Sequence, residues 1–212
     1  CGNQVICSTE QNGECHVTRF LVSLQARNNT IRGFFLPWLT EVQGDVAFVD
    51  SSTNEVGFAR LETVSGAIVV SGNAVLSAVT APRLAGRIAS ITVTNNTQLT
   101  RVQFGSTKTF ETGNFLLDSN RLLSRISSSL LKVDALSVVF GDKQLQVELP
   151  DLQEAKSLKL ATALLGTLSY LSVPSLKVVG AIELSGFLTA DVNFLQIPVV
   201  SSGDIVFEKL YS

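Results

Sequence analysis

The stretch 65–104, SGAIVVSGNAVLSAVTAPRLAGRIASITVTNNTQLTRVQF, contains one pattern twice. Each half has a small residue, a short β-branched run, a polar turn with Asn, and then Leu-x-x-Val. Such a doubled pattern is typical either of two hairpins in a sheet or of two coils of a repeat protein. The spacing of the pattern along the rest of the chain decides between these two folds.

A three-residue core of apolar-x-apolar type occurs eight times in the chain. The copies are Val46-Ala47-Phe48, Ile68-Val69-Val70, Ile91-Thr92-Val93, Phe115-Leu116-Leu117, Leu136-Ser137-Val138, Leu158-Lys159-Leu160, Ile182-Glu183-Leu184 and Ile205-Val206-Phe207. Successive copies begin 21 to 24 residues apart. Hairpins joined by unrelated loops would scatter more widely, so the regular period indicates a solenoid in which each coil stacks on the last.

Turn-forming residues keep the same period. Four of the five prolines follow a core by 14 or 16 residues: Pro82, Pro150, Pro174 and Pro198. Because proline has no N–H to donate to a sheet, its recurrence at one phase predicts a repeated bend. Asn73, Asn95 and Asn120 follow their cores by four or five residues, where a turn needs a side-chain hydrogen bond or a positive φ.

These patterns predict an all-β fold, a right-handed parallel β-solenoid of about eight coils. The strands are parallel because they pair between neighbouring coils. We expect a single domain over 1–212, with a disulfide-bearing N-terminal cap at 1–42 and repeat coils at 43–212. Residues 15–41 are expected to hold a short helix or an irregular part of that cap.

Composition excludes several classes of protein. The chain is 45% hydrophobic and 16% charged, which predicts a folded core rather than disorder. Its net charge is −2 and it has no basic block, so it lacks the charge pattern of a nucleic-acid-binding protein. No apolar run approaches the length of a membrane-spanning helix.

The first fifteen residues hold all three cysteines, Cys1, Cys7 and Cys15, which are candidates for a disulfide in an oxidising compartment. The odd cysteine is then free, paired outside the chain or, at Cys1, linked to lipid. Because the sequence begins at Cys1 rather than Met, we expect a preceding leader segment. The sequons at Asn28 and Asn95 are candidate glycosylation sites, and together these features predict an extracellular or cell-surface protein.

The repeat resembles that of the receptor L-domain family, which includes the ligand-binding solenoids of insulin- and EGF-type receptors. It is also similar to fungal GPI-anchored cell-wall and sporulation proteins. The residues that carry the resemblance run from Gly66 to Asn73, continue at Leu76, Val79, Pro82 and Leu84, and recur at Leu158, Leu160, Leu168, Leu171, Pro174, Leu176, Val179 and Gly180. It covers about residues 43 to 208. Ordinary leucine-rich repeats differ in having a helical return, and bacterial surface repeats carry Ala-Phe and Cys in each unit. The resemblance implies recognition, adhesion or cell-wall organisation, with anchoring through GPI as one option.

Motifs for catalysis are scarce. His16 is the only histidine, and no phosphate-binding glycine motif occurs, so no metal or cofactor is expected. Some β-helices cleave polysaccharides with clustered carboxylates, and such an enzyme is the alternative function. Its candidate acids, Asp142, Glu148, Asp151 and Glu154, lie within one coil at dissimilar phases, which is more typical of a solvated rim.

Outward positions of the main strands are the strongest candidate for a binding face. Six of these outward residues are charged and none is aromatic: the charged ones are Asp45, Asp118, Lys159, Glu183, Asp204 and Glu208. The predicted face comprises Ala67, Val69, Ser71, Ser90, Thr92, Thr94, Asn114, Leu116 and Ser137, with Ala135 and Val139 beside it. Its expected partner is a protein, a cell-surface ligand or a second copy of the chain. The alternative is that small residues simply suit a flat parallel sheet.

Overall fold

The computed structural model describes residues 5–11, 14–20, 22–28, 33–141, 143–162, 166–186, 195–196 and 204–208 of the 212-residue chain. These residues form strands that are joined by turns and contain no helix. The strands assemble into three sheets, which we call the front, back and side sheets.

The front sheet has nine strands: β3 (Leu24–Arg27), β6 (Val46–Val49), β9 (Ala67–Ser71), β11 (Gly86–Thr94), β13 (Phe110–Asn120), β15 (Leu130–Phe140), β17 (Glu154–Thr162), β19 (Val178–Ser185) and β21 (Asp204–Glu208). The back sheet has eight: β4 (Gly33–Phe35), β7 (Glu55–Gly57), β10 (Ala78–Ala81), β12 (Arg101–Phe104), β14 (Arg125–Ser128), β16 (Gln144–Glu148), β18 (Thr167–Ser172) and β20 (Leu195–Gln196). The side sheet has four: β1 (Val5–Gln11), β2 (Glu14–Phe20), β5 (Glu41–Val42) and β8 (Thr63–Val64).

Front and back strands alternate along the chain, and each pairs in parallel with its counterpart one coil away. Ile91, for example, lies opposite Ile68 on one side and Phe115 on the other. All eight predicted cores lie on front-sheet strands, so the parallel β-solenoid is confirmed. The stack comprises about seven turns of about 23 residues, against the eight predicted. The last predicted core, on β21, follows a turn that lies largely outside the described residues.

The core consists of apolar side chains that stack in rows through successive coils. Ile68, Ile91, Phe115, Leu136, Leu158 and Ile182 form one such row and are each 3% exposed or less. Phe104 of the back sheet meets Phe115 of the front sheet edge to face, with ring centroids 5.8 Å apart. Since every coil contributes to the same rows, the burial of each coil depends on its neighbours.

Prolines occupy one recurring β-turn, as predicted from their phase. In Ala81-Pro82-Arg83-Leu84 the N–H of Leu84 donates to the carbonyl of Ala81, 3.3 Å away. The same turn recurs around Pro150 and Pro174, and Pro37 also occupies it. Pro198 lies outside the described residues. Each of these four turns ends on a buried leucine: Leu39, Leu84, Leu152 and Leu176.

The N-terminal region is made of strands where it is described. Strands β1 and β2 form an antiparallel hairpin, and the expected short helix within 15–41 is absent from the described residues. Strands β3 and β4 already pair with coil strands β6 and β7. Cys7 lies on β1 and Cys15 on β2, but their side chains, and Cys1 altogether, lie outside the described part of the structure.

Candidate recognition face and its borders

The nine residues of the predicted face lie together on the outward side of four adjacent strands, β9, β11, β13 and β15. We call this surface the neutral face. Its central row runs Val69, Thr92, Leu116, Ser137, each in register with the next. A parallel row contains Ala67, Ser90 and Asn114, and a third contains Ser71 and Thr94. Asn114 is exposed, and the other eight are half-buried by their neighbours in the sheet.

Several polar side chains of the neutral face are free to meet a partner. Thr94 donates its hydroxyl to Ser71 across the coils, at 3.1 Å. The side chains of Ser90, Thr92 and Asn114, in contrast, make no hydrogen bond to other described residues. A surface of this kind offers hydrogen-bond donors and acceptors on short side chains. Binding there does not require the desolvation free energy of a charged group.

Charged residues lie at the edges of the neutral face. At one end the Asp45 carboxylate accepts a hydrogen bond from the N–H of Ala67, 2.8 Å away. At the other end Lys159 and Glu183 lie on adjacent strands with Nζ and Oε1 2.6 Å apart. Asp118 extends the third row beside Thr94. This pattern, with neutral residues at the centre and charges at the rim, is the usual anatomy of a protein interface.

A corner of left-handed residues borders the third row. Asn28, Asp50, Gly72 and Asn95 follow successive front strands, Ser119 lies at the end of the next one, β13, and all five have a positive φ, between 49° and 70°. Asn and Asp tolerate this conformation better than most residues, and Gly adopts it freely. Both sequon asparagines, Asn28 and Asn95, are exposed at this corner, although residues 29–32 are not described.

A ladder of buried polar side chains lies just inside this corner, and the sequence pointed only to its members Asn73 and Asn120 as turn residues. Its members are Ser51, Asn73, Asn96 and Asn120, all 2% exposed or less. The backbone N–H of Ser51 donates to Oδ1 of Asn73, that of Asn73 to Asn96, and that of Asn96 to Asn120, at 3.0 to 3.1 Å. The ladder satisfies backbone groups at a bend, where the sheet hydrogen bonds are interrupted.

A charged groove of about 400 Å³ runs along the opposite border of the neutral face. Arg87, Glu111, Lys132 and Glu154 lie in register on successive strands, with charges of alternating sign. Lys132 Nζ is 2.9 Å from Glu154, and this hydrogen bond raises the pKa of Lys132 above its ordinary value. Lys156 Nζ, 2.6 Å from Asp134, lowers the pKa of that carboxyl chiefly by hydrogen bonding. The groove is therefore a network of mutually compensated charges.

Residues of the alternative enzyme site are spread apart. Glu148 lies on the back sheet, 3.2 Å from Arg125, whereas Glu154 begins a front strand and pairs with Lys132. Asp151 is in the turn between them. Asp142 and the side chain of His16 lie outside the described residues. In the described ranges, no three His, Cys, Asp or Glu side chains are grouped to hold a metal, and none of the elements is a membrane-length apolar helix.

The chain was compared with known protein families, with curated proteins and with solved structures. None of the three comparisons found a match. What the structure establishes is accordingly the architecture, a parallel β-solenoid of about seven turns.

Proposed function

We propose that the chain is a non-enzymatic recognition module of the receptor L-domain type, working outside the cell or at its surface. Adhesion and cell-wall organisation are the roles that suit such a module. The observation that carries the proposal is the neutral face, in which nine small or uncharged residues are held in register on four coils. A freely solvated sheet of this size usually displays more charge, and a charge-free centre favours contact with a partner.

The size of the face sets the strength of binding that we expect. Four coils at about 4.8 Å each and strands of about 17 Å give the neutral face an area of about 300 Å². A stable interface buries about 800 Å² on each partner, so the neutral face alone supports weak binding. The full nine-strand sheet spans about 40 Å and offers about 700 Å², which approaches that size. A partner is therefore expected to extend over the charged ends as well.

A second copy of this chain is the simplest partner. Two neutral faces can pack against each other without bringing like charges together at the centre, and flat sheets stack face to face at about 10 Å. Ser90, Thr92 and Asn114, whose side chains make no hydrogen bond to other described residues, supply hydrogen bonds for such a contact. The absence of aromatic residues from the neutral face disfavours the stacking of sugar rings there.

The experiment is sedimentation analysis of the purified protein over a wide concentration range. We expect wild-type protein to associate, and Val69→Glu or Leu116→Lys to remain monomeric, because each places a charge at the centre of the contact. Val75→Glu is the matched control, since Val75 is 45% exposed in a turn away from the front sheet. The proposal of self-association fails if wild-type protein stays monomeric throughout, or if the Val69→Glu protein associates as strongly as wild type.

A further inference from the structure

Charged residues that lie in register on neighbouring strands have opposite signs at nearly every position in the described ranges. The pairs Arg19 with Glu41, Arg87 with Glu111, Glu111 with Lys132, Lys132 with Glu154 and Lys159 with Glu183 all follow this rule. The exception is on the back sheet, where Arg101 of β12 lies directly opposite Arg125 of β14. Like charges placed opposite each other destabilise a sheet, so packing alone does not account for this pair.

Further basic residues surround the arginine pair. Arg125 and Lys143 line a groove of about 630 Å³, and Arg121 and Lys143 line an adjoining groove of about 270 Å³. Both grooves share Leu122. We call Arg101, Arg121, Arg125 and Lys143 the basic strip. All four are exposed, and they come from three successive coils.

Acidic compensation along the basic strip is incomplete. Glu148 binds the guanidinium of Arg125 through both carboxylate oxygens, at 3.2 and 3.3 Å. Arg101 and Lys143 have no ion-pair partner among the described residues. Among the described residues, Arg101 and Lys143 therefore leave positive charge uncompensated in a chain whose net charge is −2.

We propose that the basic strip binds a linear anionic polysaccharide that runs along the axis of the solenoid. Arg101 and Arg125 are separated by the rise of one coil, about 4.8 Å, which is comparable to the length of one sugar unit, and Gln146 follows them in the same register on the next coil. Carboxylates or sulfates on two successive sugars then meet Arg101 and Arg125, and an arginine can bind either group with two parallel hydrogen bonds. Polar Gln144 and Gln146 in the same groove are placed to contact sugar hydroxyls.

This site is separate from the neutral face. The basic strip is on the back sheet and its turns, whereas the neutral face is on the front sheet, so both surfaces are available in one molecule. The inference does not rest on the proposed function, and either can fail without the other. If both hold, the module joins a protein contact on one side to an acidic polymer on the other.

Binding is tested by titrating the purified protein with four polymers of similar length: polygalacturonate, dextran sulfate, uncharged dextran and polyphosphate. We expect the carboxylated and sulfated chains to bind, with an affinity that falls steeply as salt is added, and uncharged dextran not to bind. The double variant Arg101→Gln/Arg125→Gln is expected to bind about tenfold or more weakly. Its melting temperature should stay close to that of wild type, because the substitution removes a like-charge pair together with the exposed ion pair between Arg125 and Glu148.

The matched control is Arg83→Gln/Arg87→Gln, which removes the same charge from exposed positions away from the basic strip. This variant should bind the acidic polymers as wild type does. Three results would overturn the proposal: equal weakening by both double variants, binding of uncharged dextran as tight as that of the acidic polymers, or binding of polyphosphate alone.

Discussion

Oδ1 of Asn96 accepts two hydrogen bonds from Asn73, one from its backbone N–H at 3.1 Å and one from its Nδ2 at 3.0 Å. Asn96 in turn donates its own Nδ2 to the Val70 carbonyl at 3.0 Å and to Oδ1 of Asn120 at 3.2 Å. One side chain therefore connects three successive coils at a buried corner.

Replacement of Asn96 by alanine should destabilise the fold by about 2–3 kcal/mol, since buried polar partners on both neighbouring coils lose their hydrogen bonds. The measurement is the free energy of unfolding in urea. Asn114→Ala, an exposed asparagine on the neutral face, is the control and should change it by less than about 0.5 kcal/mol. A loss equally small for Asn96→Ala would show that the ladder does not stabilise the protein.

Two glycines with a similar positive φ should respond differently to alanine. Gly86, at φ 76°, has open space where a Cβ would stand, so Gly86→Ala costs only backbone strain, about 1–2 kcal/mol. At Gly105, φ 63°, the new Cβ would lie 2.9 Å from the Lys108 carbonyl oxygen and 3.2 Å from Cβ of Ser129. Gly105→Ala adds crowding and should cost about 1–3 kcal/mol more. Equal melting temperatures for the two variants would contradict this.

Acid should weaken one ion pair of the charged groove. The hydrogen bond from Lys156 holds the pKa of Asp134 below its ordinary value of 3.8 in the folded state. The ionised carboxylate therefore contributes stability at every pH above that ordinary pKa. The contribution is lost as the pH falls through the lower pKa of the folded state. Wild type should lose its advantage over Asp134→Asn in that acidic range, and also in high salt.

The pH dependence is followed by the urea midpoint at a series of pH values. Asp151→Asn is the control, because Asp151 has no ion-pair partner among the described residues. A difference between wild type and Asp134→Asn that stays constant from neutral pH down to about pH 2 would contradict the expected linkage.

Inward and outward sides of the strands could be predicted from the sequence, because alternation along a strand is a local property. Ile91 and Val93 point inward, and Thr92 lies between them on the neutral face, as the pattern predicts. The recurrence of Pro82, Pro150 and Pro174 at one turn is equally visible in the sequence. The ring of proline fixes its own φ and removes its N–H, so a proline favours a bend whatever the distant residues are.

The asparagine corner could be predicted only in part. Asn95 does have a positive φ, as its position suggested, but the buried ladder uses its neighbour Asn96. Two identical residues in succession do not reveal which side chain faces the core, because a single left-handed residue changes the direction of the chain. The side sheet was missed for another reason: β5 and β8 contain only two residues each, too few for a periodic pattern.

The position of the two opposed arginines, Arg101 and Arg125, could have been predicted from the sequence. Val102 and Ile126 have the same phase in the repeat, and this register places Arg101 beside Arg125. The groove that Lys143 lines, in contrast, is formed by residues of several neighbouring coils. It exists only in the folded stack, so the groove itself could not be predicted.

Breaks in register determine where this protein can change in length. The pairing of β13 with β15 shifts between Leu117 and Asn120, and that of β16 with β18 shifts between Leu145 and Gln146. An extra residue at such a bulge is absorbed locally, so the side chains on either side of the bulge keep their inward or outward orientation. An insertion in β9, whose pairing with β11 is unbroken, would turn every later side chain of that strand to the other side of the sheet. Loops or tags are therefore best grafted at such bulges, where the chain already accommodates irregular spacing.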